Sequence, residues 1–308
     1  MPVDTLVILN PASRGGRLAH WPDLEARLVG ALGAIEVERT RGPGDAARLA
    51  REAARAGVRR VLVAGGDGTL SEAVNGLLGA GLGTAVELGL LPFGTGGDFA
   101  RALGIPADVA QAVEVLASGK PRPVDVGRLR SSDAQGRECT AWFVNEISAG
   151  VSAEVVSHAK RGPQWLGGRA AFLWATLRAL AAYSPAELCV RVDAVVAFEG
   201  HAAVAVVANG GWFGGGMHVA PAARFDDGLL DVVVVRGLTG ARLLPKLRKL
   251  YTGAHLSDPA VCSFRGREIA IEAHSGLARL EADGELLGCL PVRADVVPGA
   301  LTLLAPDS

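Results

Sequence analysis

Glycine and aspartate recur together in this sequence where apolar runs stop. Val61-Leu62-Val63-Ala64 is short and apolar, and it ends at Gly65-Gly66-Asp67-Gly68-Thr69. Leu70-Ser71-Glu72-Ala73-Val74-Asn75-Gly76-Leu77 follows and reads as a helix. A strand, a glycine turn and a helix in succession present backbone N–H groups and a helix N-terminus to an anion such as phosphate. The arrangement returns at 88–101, where Gly94, Thr95, Gly96 and Gly97 precede Asp98. Two such turns in one half of the chain, each with an aspartate, point to nucleotide phosphates and a metal ion. The pattern G-x-x-x-x-G-K-[ST] is absent, so neither turn is a P-loop. The competing account is a tight βα turn in which Asp67 merely caps a helix.

Elements that would position these turns are legible on both sides. Residues 5–9 form an apolar strand that runs into the turn Asn10-Pro11-Ala12-Ser13-Arg14-Gly15-Gly16. A helix is expected near 21–32, a strand at 34–38, and then Thr40-Arg41-Gly42-Pro43-Gly44-Asp45, with Asp45 opening a helix to 56. Strands at 60–64 and 87–91 and helices near 70–77, 98–103 and 109–118 complete the series. Alternating β and α units predict a doubly wound parallel sheet with its ligands at the carboxyl ends of the strands. After 121–125 the rhythm changes. Alternating apolar runs at 140–144, 188–192, 202–207, 229–235, 268–271, 278–282 and 292–297 predict an antiparallel sheet or sandwich. Helices at 169–183 and 240–251 interrupt it, and the run at 300–304 is expected to return to the first domain. The expected organisation is a nucleotide-binding α/β domain, 1–125 plus about 298–308, and a β-rich acceptor domain, 126–297, with the active cleft between them.

Composition narrows the function. Over 308 residues, 31 Lys plus Arg against 32 Asp plus Glu give a formal charge of −1. General nucleic-acid binding, which draws its affinity from a basic excess, is not expected. Cys139, Cys189, Cys262 and Cys289 are scattered without C-x-x-C pairs, so reduced thiols in a cytoplasmic protein are expected rather than zinc or disulfides. The longest apolar stretch, 170–183, is broken by Arg178 and is too short to span a bilayer. The expectation is a soluble protein, at most peripheral to the inner face of the membrane.

The string Gly65-Gly66-Asp67-Gly68-Thr69-Leu70-Ser71-Glu72 closely resembles the signature of the diacylglycerol/sphingosine/ceramide lipid kinase superfamily. The resemblance continues through 10–16, 92–101, 124–127, 143–150, Asn209-Gly210-Gly211, 225–231 and Asp283-Gly284-Glu285. It covers nearly the whole chain, whose length is that of the soluble bacterial diacylglycerol-kinase-like branch. The resemblance implies a doubly wound α/β domain of NAD kinase/diacylglycerol kinase type, a β-sandwich domain, and ATP bound with Mg²⁺. It places Asn10, Pro11, Ala12, Ser13, Arg14, Thr40, Gly65, Gly66, Asp67, Gly68, Thr69, Leu70, Ser71, Glu72, Gly94 and Thr95 at the nucleotide. Asp67, Asp98 and Asp125 would converge near the phosphates with Mg²⁺. A second, structural Mg²⁺ would take the Asp227 carboxylate and the backbone carbonyls of Arg224 and Leu229, and Glu285 would be the general base. One departure is Gly97, where the family usually has Asn.

Each assignment has a plainer counterpart. Asn, Pro, Ser and Gly favour turns whatever they bind. Asp98 caps a helix equally well, Asp125 suits a strand-end turn, Asp227-Gly228 suits a hairpin, and Glu285 could be a solvated turn residue. On the acceptor side, 240–251 combines Leu243, Leu244, Leu247 and Leu250 with Arg242, Lys246, Arg248 and Lys249. Such a helix can lie on an anionic membrane or pack on a sheet with its charges in water. The resulting expectation is a kinase that moves the γ-phosphate of ATP to a lipid hydroxyl, on diacylglycerol or a related glycerolipid. An NAD-kinase-like enzyme acting on a ribose hydroxyl, and a nucleotide-responsive binding protein without turnover, stand as alternatives. The acceptor lipid, ATP against GTP, and oligomeric state are left open, a homodimer being one assembly available to it.

Overall fold

A computed structural model describes residues 3–13, 21–94, 96–132, 137–162, 168–237, 243, 246–275 and 278–306. The chain divides into two compact units, Met1–Val126 with Pro298–Ser308, and Gly127–Val297.

The first unit is built from β1 (Thr5–Leu9), α1 (Trp21–Leu32), β2 (Ile35–Arg39), α2 (Asp45–Arg55), β3 (Arg60–Gly65), α3 (Asp67–Leu78), β4 (Glu87–Pro92), α4 (Asp98–Ala102) and α5 (Val109–Ser118). The strands pair in the order β2-β1-β3-β4, all parallel, with Leu9 opposite both Arg39 and Ala64, and Gly65 opposite Pro92. β1 and nearly all of β3 and β4 are buried and read as unbroken apolar runs, as strands covered on both faces must. The outer strand β2 carries Glu36 and Glu38 instead. α2 buries Ala46, Leu49, Ala50, Ala53 and Ala54, one stripe at helical spacing. It packs so closely on α3 that a Cβ on Gly76 would lie 2.1 Å from the Ala47 carbonyl oxygen.

The second unit begins within β5 (Lys120–Ser132) and continues through β6 (Glu138–Phe143), β7 (Glu146–Gly150), α6 (Val151–Arg161), α7 (Gly168–Ala182), β8 (Ala186–Val192) and β9 (Val195–Ala208). β10 (Trp212–Phe213), β11 (Met217–His218), β12 (Leu230–Arg236), β13 (Val261–Gly266), β14 (Glu268–Ser275), β15 (Arg279–Ala282), β16 (Glu285–Cys289) and β17 (Val292–Ala305) follow. Pairing within this unit is antiparallel. The 14-residue β9 serves two sets of neighbours: its first half pairs with β8, and its second half runs between β7 and β12. That division makes the unit sandwich-like, around Phe143, Ile147, Leu188, Val190, Val207, Val232 and Leu280. α6 and α7 cover a separate cluster with Val151, Ala175, Leu180 and Ala203. β17 then leaves the unit, and its Thr302 and Leu303 pair in parallel with Glu87 and Leu88 of β4.

Several elements differ from the sequence reading: the strands β5, β7, β10, β11, β13 and β16 fall outside the expected runs, and two helical regions differ as well. α6 was not expected; it starts directly at Gly150, whose φ of +114° lets β7 turn into a helix without a loop. Of the helix expected over 240–251, residues 240–242, 244 and 245 lie outside the described residues, and the described helical segment is Leu247–Leu250. Leu243 and Leu247 pack against the α6–α7 cluster, while Lys246 and Lys249 reach the Asp258 carboxylate at 2.5 and 3.6 Å. The bond from Lys246 holds that carboxyl down at about 2. Among the described residues no helix is long and apolar enough to cross a membrane.

The α2–α3 contact has a direct test. Gly76→Ala should lower stability by about 2–3 kcal/mol, because the added methyl meets backbone rather than a movable side chain. Calorimetry would show the loss as a lower Tm.

Candidate active site

The carboxyl ends of β1, β2, β3 and β4 lie along one edge of the first sheet, and the turns that leave them touch. The Gly65 carbonyl accepts from the amides of Phe93 (2.9 Å) and Gly94 (3.2 Å), which ties the second glycine turn to the first. The backbones meet at Gly66 and Gly94. A Cβ on Gly94 would lie 2.5 Å from the Gly66 Cα, and one on Gly65 would lie 2.6 Å from the Thr69 Cβ. These positions admit only hydrogen, which is the physical reason for glycine there.

Asn10 closes the same edge. Its amide donates to the Ala64 carbonyl (3.0 Å), and its side-chain Nδ2 donates to Thr69 Oγ1 (2.8 Å). Its Oδ1 accepts the Ala12 amide (2.9 Å), shaping the Pro11-Ala12-Ser13 turn, and Thr40 donates its amide to the Leu9 carbonyl (2.9 Å). Asn10, Thr40, Gly65, Gly66, Thr69 and Gly94 are therefore neighbours or share neighbours. Arg14 and Thr95 lie outside the described residues. Leu70, Ser71 and Glu72 have other work. The Leu70 and Ser71 side chains are buried, the Leu70 amide donates to the Gly66 carbonyl (3.1 Å), and Glu72 accepts the Ala46 amide of α2 (3.3 Å).

The aspartates separate into distinct roles. Asp67 opens α3, yet its carboxylate reaches the next turn, accepting the amides of Asp98 (3.1 Å) and Phe99 (3.3 Å) at the start of α4. Gly96 must be small here, since a Cβ on it would lie 2.9 Å from Asp67 Oδ2. Asp67 is thus a cap, though for α4 rather than for its own helix. The N-cap of α3 is Gly66, which offers no side-chain oxygen to the helix. Asp98 is buried and pairs with Arg101 (2.6 Å). Asp125 stands within β5 rather than at a strand-end turn, and holds the Gly299 amide at 2.8 Å.

In the second unit, Asp283 (φ +46°) and Gly284 (φ +83°) form the two-residue turn between β15 and β16, the positive-φ pair such hairpins require. Glu285 follows it, 62% exposed and ion-paired with Lys160 of α6. At the expected structural Mg²⁺ site the Asp227 carboxylate has a protein partner. Arg265 binds Asp227 through Nη2 and Asp231 through Nε (3.1 Å), while Asp227 Oδ1 accepts the Leu229 amide (3.1 Å). Arg224 turns to Asp226 (2.9 Å). The Asp227 carboxylate expected at the metal is thus shared with the Arg265 guanidinium. Arg265 lies 38 residues from Asp227, too far in sequence for any local pattern to have signalled it.

A parallel α/β unit with paired glycine turns at its strand ends, joined to an antiparallel sandwich-like unit, is the architecture shared by diacylglycerol kinase-like folds. Residues 4–129 match the diacylglycerol kinase catalytic domain, and residues 145–305 match the YegS C-terminal NAD kinase beta sandwich-like domain. A probable YegS-like lipid kinase of Chromohalobacter salexigens is 34% identical, covering 99% of this chain and 94% of that one. A diacylglycerol kinase of Mycobacterium tuberculosis is 30% identical over 85% of this chain and 82% of its own. The crystal structure of a putative diacylglycerol kinase from Bacillus anthracis superposes with a TM-score of 0.78 at 25% identity, over 98% and 97% of the two chains. The chain belongs to the diacylglycerol kinase/YegS-like lipid kinase family, and is a phosphotransferase with an alcohol acceptor.

The coupling between the two glycine turns is measurable. Asp67→Ala removes both acceptors at the start of α4 and should speed hydrogen exchange of the Asp98 and Phe99 amides about fivefold, the equivalent of about 1 kcal/mol for a lost cap.

Proposed function

We propose that this chain transfers the γ-phosphate of ATP to the hydroxyl of diacylglycerol or a related glycerolipid. The observation that carries the reading is the start of α3: a twelve-residue helix whose N-cap is a glycine, opening from two glycine turns held in backbone contact. Its first amides have no side-chain cap from Gly66, and an anion is the natural acceptor for them. Asn10 and Thr69 would flank the nucleotide, and Gly65, Gly66, Gly68 and Gly94 would let its phosphates approach the main chain.

Polyphosphate beside Asp67 and Asp98 needs a cation. Each Asp67 oxygen accepts one amide in the structure, and a carboxylate oxygen has capacity for more. These residues therefore fit Mg²⁺, which when bound would supply positive charge to the β- and γ-phosphate oxygens. Asp125 holds the Gly299 amide, three residues ahead of the Thr302–Glu87 pair at the amino end of β4, away from this edge. Glu285 takes the role of general base: as the acceptor oxygen forms its bond to the γ-phosphorus and the bond to the β-phosphate oxygen breaks, the hydroxyl proton passes to this carboxylate. Its exposure leaves it open to an incoming alcohol. The lipid would be drawn from an anionic surface. Leu173 and Leu177 on α7, 56% and 44% exposed and close to Arg178, suit that contact better than the 246–250 segment, whose lysines are engaged by Asp258.

Radiolabelled ATP offered with a lipid extract or with NAD should label a lipid, and mass spectrometry of the product would identify it. Label appearing in NAD alone would overturn the reading. Glu285→Gln should lower kcat by about 10²–10⁴ while leaving nucleotide affinity within a few fold. Turnover equal to the native enzyme would remove Glu285 from this role.

A further inference from the structure

Beneath the β15–β16 turn lies a cluster of acids that none of the chemistry above uses. Glu146 on β7 and Glu281 on β15 are 2% and 1% exposed and sit on adjacent antiparallel strands. Glu281 Oε1 accepts from Ser148 Oγ, which also lies 2.7 Å from Ser152 Oγ at the start of α6. Glu281 Oε2 accepts the Gly284 amide at 3.0 Å. Glu281 stands opposite Ser148, so Glu146, two residues before it on β7, lies diagonally across the pair on the same face. Asp283 accepts three successive amides, Val144 (2.8 Å), Asn145 (2.9 Å) and Glu146 (3.1 Å), and returns its own amide to the Glu146 carbonyl (3.0 Å). Carboxyl groups thus hold both residues of the turn, Asp283 on the 144–146 segment and Gly284 on Glu281 of β15, and the next residue is Glu285.

Two carboxylates this deep cannot both be charged. Burial first, then the Glu281 charge, pushes Glu146 well above its ordinary value. Burial also raises Glu281, against hydrogen bonds that favour its ionised form. Glu146 is therefore the one that keeps the proton. The charged groups around the pair are Asp283 at the turn, raised to about 6 by burial, Glu285 with Lys160, and the Arg279–Glu154 ion pair (3.4 Å) between β15 and α6. The far side, β9, presents Val206, Val207 and Ala208.

We propose that Glu146 and Glu281 act as one hydrogen-bonded acid–carboxylate pair that positions Glu285, by fixing the Gly284 amide and hence the turn from which the general base projects. Both are positioning residues, and the proposal rests on the reading of Glu285 as that base. A proton held more tightly in the folded chain than in the unfolded one gives stability that is complete below the ordinary carboxyl value of 4.5 and is lost as pH rises through the folded-state value. Asp283 behaves likewise between 3.8 and about 6, so its contribution is spent at higher pH.

Three variants test the pair. Glu146→Gln keeps a donor that cannot titrate, so the fall in Tm as pH rises beyond about 6, where Asp283 has already titrated, should be smaller than in the native chain. Glu146→Leu removes the donor; kcat should drop about 10- to 100-fold with nucleotide Kd unchanged, and Glu146→Gln should recover most of that loss. Glu281→Gln should accelerate hydrogen exchange at the Gly284 amide. An identical Tm-against-pH slope in Glu146→Gln overturns the shared proton. Native kcat in Glu146→Leu, or native exchange at Gly284 in Glu281→Gln, overturns the positioning. If the native chain phosphorylates no lipid, the functional reading fails, while the Tm slope and the exchange rate still decide whether the pair exists.

Discussion

The backbone contact between Gly66 and Gly94 governs the first unit. Parallel strands bring their carboxyl ends to one edge, but only residues without a Cβ allow the turns leaving β3 and β4 to close on each other. The Gly65 carbonyl then serves two amides of the second turn, and the Asp67 carboxylate serves two more. α3 and α4 are consequently set as one piece, with N-termini related by a carboxylate rather than each capped locally. An anion bound at the start of α3 would find the neighbouring turn already in place, without paying to order it.

The second unit solves a similar problem with buried acid instead of missing side chains. A hairpin turn at the surface is ordinarily free to move. Here the turn before Glu285 is fastened by Asp283 to three amides of the 144–146 segment and by Glu281 to Gly284. Burying such groups is costly unless each is hydrogen-bonded, so the cluster holds one geometry or none. Arg265 plays a comparable part lower on the sheet, where one guanidinium satisfies both Asp227 and Asp231.

What could be read from sequence followed from range. Elements of the first unit rest on local signals, namely apolar runs, glycine turns and helical stripes, and those signals placed β1, β3, β4, α2 and α3 and the aspartates beside them. Partnerships were not legible. Asp67 was readable as a cap, but that it caps α4, 31 residues on, depends on the two turns meeting. Glu146 and Glu281 look like ordinary solvated glutamates in strand-like runs, and only the register of β7 against β15 puts them inside. For the basic stretch at 246–250 the sequence left both a membrane-facing and a sheet-packed helix open, and the partner of Lys246 and Lys249, Asp258, was not legible in it.

The path of β17 bears on how the protein can be made. Residues up to 126 include four strands of the first sheet, yet β4 has its outer neighbour only when Thr302 and Leu303 arrive. During translation that flank therefore waits, open, while some 170 intervening residues are produced. A fragment cut at the end of the N-terminal segment would carry the same raw margin permanently. Nascent chains of this architecture thus have reason to meet chaperones before their last strand emerges.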